Sequence, residues 1–94
     1  MAGGTEMTRF GVPAGILTAD MEGDRVVLNP DTGVYHLVNA TGRDLFECLS
    51  SGRSLEECVE RLAEQTDESR ERVREDADSF VRAMLERELL VRLP

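Results

Sequence analysis

The stretch Val27-Leu28-Asn29-Pro30-Asp31-Thr32-Gly33-Val34-Tyr35-His36-Leu37-Val38-Asn39-Ala40-Thr41-Gly42 decides how the rest of the chain is read. Asn29–Gly33 has turn composition, because proline pre-sets φ and glycine supplies a positive one. On either side lie β-branched and aromatic residues that favour strands. After Asn39 the apolar spacing changes from two-residue alternation to a helical period, with Leu45, Phe46 and Leu49 on one stripe that stops at Ser51-Gly52. Asn39 or Thr41 is placed to cap that helix. A strand, a turn, a second strand and a helix start therefore follow one another without a linker.

Working back from this stretch, Ile16–Asp20 and Arg25–Asn29 are strand-forming segments separated by Glu22-Gly23-Asp24, which predicts a β-hairpin. With Val34–Val38 they make a three-stranded antiparallel meander. Alternation places Val34, His36 and Val38 on one face and Tyr35 and Leu37 on the other, so neither face is plainly polar and an exposed apolar face would want a cover. Residues 1–13 are small, polar and glycine-bearing, with Phe10 and Val12 among the few sizeable apolar residues. They are expected to be a flexible tail, leaving 14–94 as one domain.

Working forward, Ser54-Leu55-Glu56-Glu57 is a capping-box pattern opening a helix with Leu55, Cys58, Val59 and Leu62 inward. A last helix begins near Ser69 and carries Val73, Ala77, Phe80, Val81, Met84 and Leu85 at spacings of one amphipathic stripe. Leu89–Pro94 is expected either to finish this helix or to fold back on the sheet. Segregated strands and helices indicate an α+β domain, a three-stranded antiparallel sheet followed by three helices.

Composition narrows the function. The chain has 94 residues, 11 Lys+Arg, 19 Asp+Glu and a formal net charge of −8. Such a charge repels nucleic-acid phosphate. Ten acidic and four basic residues fall between Glu56 and Asp78, a solvated face that is also suited to attracting a basic peptide. No apolar run approaches the roughly 20 residues that cross a bilayer, and no basic-then-apolar start suggests export, so no membrane partner and a cytoplasmic location are expected. Cys48 and Cys58 have no neighbouring Cys or His to complete a zinc set and are expected as reduced core thiols. Ser50 and Ser51 precede Gly52 with no G-x-S-x-G elbow, and helix-stop chemistry explains them. A thin core disfavours a deep catalytic cavity, and nothing requires a metal or a cofactor.

The quoted stretch, continued by Leu45-Phe46-Glu47-Cys48-Leu49, resembles the PqqD-like family in its apolar strand, its turn bearing Asp and Gly (here Asp31-Thr32-Gly33), its Tyr-bearing strand, L-N-x-x-G-like junction and amphipathic helix. Val38 replaces the commoner Leu at that junction. Gly52-Arg53-Ser54-Leu55-Glu56-Glu57 is similar to the family's start of its second helix, and Asp76, Phe80 and Leu85 lie in the stretch where the family places its last helix. The likeness runs from about Ile16 to Leu90.

That resemblance implies a winged-helix-like fold without catalytic residues. It implies a module that captures the leader of a ribosomally made precursor peptide and presents it to a modifying enzyme, the leader protease of a lasso-peptide system before other maturases. The leader would add as a strand to the edge Val34, Tyr35, His36, Leu37 and Val38, in a groove walled by Val73, Ala77, Phe80, Val81 and Met84. Asp76 and Asp78 are placed either to meet a basic residue of the leader or to stand solvated on the helix, as exposed helix acids usually do. Met84 suits such a wall through its flexible thioether. His36, the only histidine, is expected as an edge-strand residue, and Tyr35 as either a peptide contact or ordinary packing. Two further classes compete. One is a winged-helix DNA-binding regulator, disfavoured by Glu56, Glu57, Glu60 and Glu64 around a lone Arg61. The other is an adaptor that binds a folded protein through the acidic face. The same free edge would also serve pairing of two copies as a homodimer.

Overall fold

The computed structural model describes residues 8–94. In chain order these form β1 (Phe10–Gly11), β2 (Leu17–Met21), β3 (Asp24–Asn29), β4 (Val34–Val38), α1 (Ala40–Ser50), α2 (Leu55–Gln65), α3 (Arg70–Glu86) and β5 (Val91–Arg92). β2, β3 and β4 make the antiparallel meander in that spatial order, and the three helices follow, as the α+β reading expects.

The hairpin is tighter than composition suggested. Met21 pairs with Asp24, so only Glu22 and Gly23 form the loop, and both have positive φ, 51° and 94°. That two-residue geometry matches the twist of the flanking strands. In the second turn the Asn29 side-chain oxygen accepts from the Asp31 amide at 2.9 Å while Gly33, at φ 77°, donates to the Asn29 carbonyl at 2.8 Å. Val27 faces His36 and Arg25 faces Val38 across the β3–β4 ladder, and Val27 and Val38 are buried against the helices. Arg25 lies on the same side. Its guanidinium donates to Asp20 at 2.7 Å and to Glu47 at 2.5 Å, joining β2, β3 and α1. The hydrogen bond from Arg25 holds the Asp20 carboxyl below its ordinary pKa and raises that of Arg25 in turn.

Each helix starts where its cap requires. Asn39 Oδ1 accepts from the Gly42 amide at 2.8 Å, which selects Asn39 over Thr41 as the α1 cap. Ser54 Oγ accepts from the Glu57 amide at 3.2 Å while Glu57 accepts from the Ser54 amide at 3.0 Å, a complete capping box. Ser69 caps α3 through the Arg72 amide at 3.1 Å. Arg70 bridges to Glu56 and Glu60, and Arg74 to Glu56 and Asp78, so part of the acidic excess is neutralised between α2 and α3.

The N-terminal end differs from expectation. The proposed tail 1–13 is corrected over its described half, while residues 1–7 lie outside the described residues. Phe10 is 2% exposed and belongs to the core, and β1 pairs antiparallel with β5, Phe10 opposite Arg92. Thr8 and Arg9 carbonyls accept from the Leu55 and Leu93 amides at 3.0 and 2.9 Å. Burying one aromatic ring contributes about 2–3 kcal/mol, enough to hold a short strand that pairs with β5 and is bridged through Arg9 to Ser54.

Of the two courses expected for the C-terminal segment, it takes the second: it leaves α3 and folds back against the sheet, although its strand β5 pairs with β1 and not with the meander. Glu88 adopts φ 59°, the Leu89 amide donates to the Met84 carbonyl at 2.8 Å and the Glu88 amide to Leu85 at 3.1 Å, a Schellman-type stop with Glu in place of the usual Gly. Asn29 Nδ2 donates to the Glu88 carbonyl at 3.1 Å and fixes the reversal against β3. Leu89 and Leu90 then enter the core. Cys48 and Cys58 are free thiols, Cys58 fully buried and Cys48 partly so. Burial pushes the Cys58 thiol well above its ordinary value, which keeps it protonated and unreactive.

Candidate peptide-binding groove

One edge of β4 has no strand beside it among the described residues, because the meander order ends there. Along that edge runs a groove of about 580 Å³. His36, Leu37 and Val38 form one wall and Val73, Asp76, Ala77, Ser79, Phe80 and Ala83 of α3 the other. Asn39, Thr41, Gly42 and Leu45 at the start of α1 close one end, with Leu62, Thr66 and Glu68 at the α2–α3 junction. The size falls within the range of small-ligand sites, but an open strand edge gives the groove the form of an extended peptide slot.

Gly42 lies at its floor. A Cβ there would sit 3.2 Å from Val38 Cβ, so that Val38 would have to give by a few tenths of an ångström, and would meet Phe80 Cε1 at an ordinary 3.5 Å. The lining contains two carboxylates, Glu68 and Asp76, and no Lys or Arg, so it favours a ligand with basic residues. His36 is partly buried, and desolvation, helped by the Arg87 charge, lowers its pKa. A neutral imidazole therefore lines the groove at neutral pH.

Of the residues named from sequence, His36, Leu37, Val38, Val73, Asp76, Ala77 and Phe80 come together here. Val81 and Met84 do not. Met84 is 0% exposed and Val81 is buried with it. Both belong to one buried cluster with Leu89 and Leu90 and neither lines the groove, which corrects the expectation that Val81 and Met84 form its wall. Val34 and Tyr35 share the strand but not the groove lining: Tyr35 is opposite Leu28 and its side chain is exposed on the other sheet face. Gly42 was visible in the sequence as part of the strand–helix junction. Leu62, Thr66 and Glu68 carried no sequence signal, since they reach the groove only through the α2–α3 turn.

The family model described as coenzyme PQQ synthesis protein D (PqqD) matches residues 24–90. The chain belongs to the PqqD family. Every groove-lining residue lies within that span. Two solved structures share the PqqD-type fold. One is TbiB1 in complex with the TbiA(beta) leader peptide, at 28% identity and a TM-score of 0.77, covering 85% of this chain and 93% of that one. The other is lasso peptide synthetase B1 complexed with the leader peptide, at 22% identity and a TM-score of 0.78, covering 92% and 99%. No match was found among curated proteins. Among the described residues no helix is long and apolar enough to cross a membrane.

Proposed function

We propose that this PqqD-family chain captures the leader segment of a ribosomally made precursor peptide by strand addition to β4 and holds it for a modifying enzyme, in the first instance a lasso-peptide leader protease. The observation that carries the reading is the unpaired β4 edge lying along a groove whose other wall is the Phe80 face of α3. Backbone hydrogen bonds to the edge supply affinity, and alternate ligand side chains enter the groove to supply specificity. The likeness to TbiB1, a leader-bound protein, supports the choice of ligand. The chain acts by binding rather than by catalysis.

A DNA-binding role is disfavoured by the helices themselves. α2 presents Glu56, Glu57, Glu60 and Glu64, and Arg70 and Arg74 are engaged with Glu56, Glu60 and Asp78.

The test is a calorimetric titration with the leader of the cognate precursor, and with two versions of it backbone N-methylated at alternate residues. The unmodified leader is expected to bind with a dissociation constant of about 1 μM or tighter. In an antiparallel strand alternate N–H groups point to the neighbour, so one methylated set should lose binding and the other keep it. Equal loss or equal retention in both sets, or no binding by the unmodified leader, overturns strand addition.

A further inference from the structure

Among the described residues no helix covers the other face of the sheet, which is chemically distinct from the groove. Ladder partners share a face, so Leu17 joins Leu28 and Tyr35, and Met21, Asp24, Val26 and Leu37 lie on the same side, away from the helices. Leu17, Met21, Tyr35 and Leu37 are 56%, 54%, 65% and 56% exposed. Large apolar side chains grouped on one face in this way mark an interaction surface more often than a solvated one. Its border is acidic. Glu22 and Asp24, with Met21 and Leu37, line a shallow depression. Between Leu17 and Val38 the only Lys or Arg is Arg25, and its guanidinium lies on the helix side, held by Asp20 and Glu47.

We infer that this outer sheet face docks a folded partner whose contact surface is apolar at its centre and bordered by Lys or Arg, one basic side chain laying its stem on Met21 and Leu37 and its charge on Glu22 and Asp24. Long basic side chains bury their methylene stems on apolar surface while their heads pair with acids, which is the chemistry this depression offers. A second copy of the chain is the wrong occupant, because its matching face would bring the same acidic border against this one. The partner is the leader-modifying enzyme, an identity that rests on the leader-capture reading. β4 belongs to both surfaces: its edge faces the leader and its Leu37 and Tyr35 side chains face the partner. A leader strand added at that edge would continue the outer face with its own outward side chains.

The experiment uses the whole chain and the purified leader-processing enzyme encoded beside it, by biolayer interferometry without leader, at about 50 and 500 mM NaCl to vary screening. Two double variants at positions away from the groove, exposed except for the half-buried Asp24, are compared, Leu17→Ser with Met21→Ser and Glu22→Lys with Asp24→Lys, their folding checked by circular dichroism. Both are expected to weaken enzyme binding by at least about tenfold, as central interface substitutions do. High salt should weaken wild-type binding, while leader affinity stays within about twofold of wild type. Enzyme affinity unchanged in both variants, or no enzyme binding by the wild type, overturns the inference. So does sedimentation showing a wild-type dimer that the variants dissociate. If enzyme binding follows the expected pattern while the leader does not bind, the docking face stands and strand addition at β4 is what fails.

Discussion

Replacing Phe80 by alanine separates what the groove contributes to the fold from what it contributes to the ligand. Phe80 is partly buried, packing on the core from outside with one ring edge over Gly42. A fully buried Phe→Ala change costs about 3–5 kcal/mol. With one side of the ring open to the groove, roughly half of that, about 2 kcal/mol, falls on folding. For a domain of this length that lowers the melting temperature by about 8–16 °C. The open side is covered only when a peptide is present. If about 40–60 Å² of ring is buried at about 25 cal/mol per Å², the peptide loses about 1–1.5 kcal/mol, a weakening of about 5- to 12-fold. Thermal denaturation followed by circular dichroism reads the first quantity, and fluorescence anisotropy of a labelled leader at a temperature where the variant is folded reads the second. A lowered melting temperature with leader affinity unchanged within about twofold would show that the ring supports the groove without touching its occupant, and the strand-in-groove arrangement would have to be redrawn.

Ser54→Ala removes the cap acceptor while leaving the Glu57 carboxylate, and it is expected to cost about 1 kcal/mol, seen as a lower midpoint in urea with unchanged slope. Phe10→Ala should cost about 3–5 kcal/mol and leave the chain largely unfolded on warming, although a tail residue would be silent; differential scanning calorimetry decides it. His36 has a folded-state pKa below its unfolded one. Below about pH 6.5 the unfolded chain therefore takes up a proton before the folded one, so stability present at neutral pH is lost as pH falls through that window. His36→Leu should flatten the dependence of urea stability on pH between about 7 and 5.

The parts of this fold that were readable in the sequence are those governed by local chemistry. The Ser54 capping box, the Ser69 start, the Asn29–Gly33 turn and the strand alternation in Val34–Val38 each depend on residues a few positions apart. Winged-helix-like α+β architecture and the groove between β4 and α3 followed from their order and from the family resemblance. What was misread depends on contacts across the whole chain. β1 and β5 are two residues each, too short to show alternation, and they exist because each supplies the other's ladder. Met84 sits on a helical stripe indistinguishable from that of Phe80, and only the αL turn at Glu88 decides which end of the stripe is covered. The acidic run from Glu56 to Asp78 likewise looked uniform, yet Glu56 and Glu60 are paired with arginines and Glu68 and Asp76 face the groove.

The pairing of Phe10 with Arg92 places the two ends of the described chain side by side. A domain closed in this way can be inserted into a loop of a larger protein, or attached at either end, without its entry and exit points being pulled apart. It also invites circular permutation: a short linker joining the ends across β1 and β5, with new termini opened at Glu22-Gly23, would keep every strand intact while moving the attachment point to the β2–β3 turn.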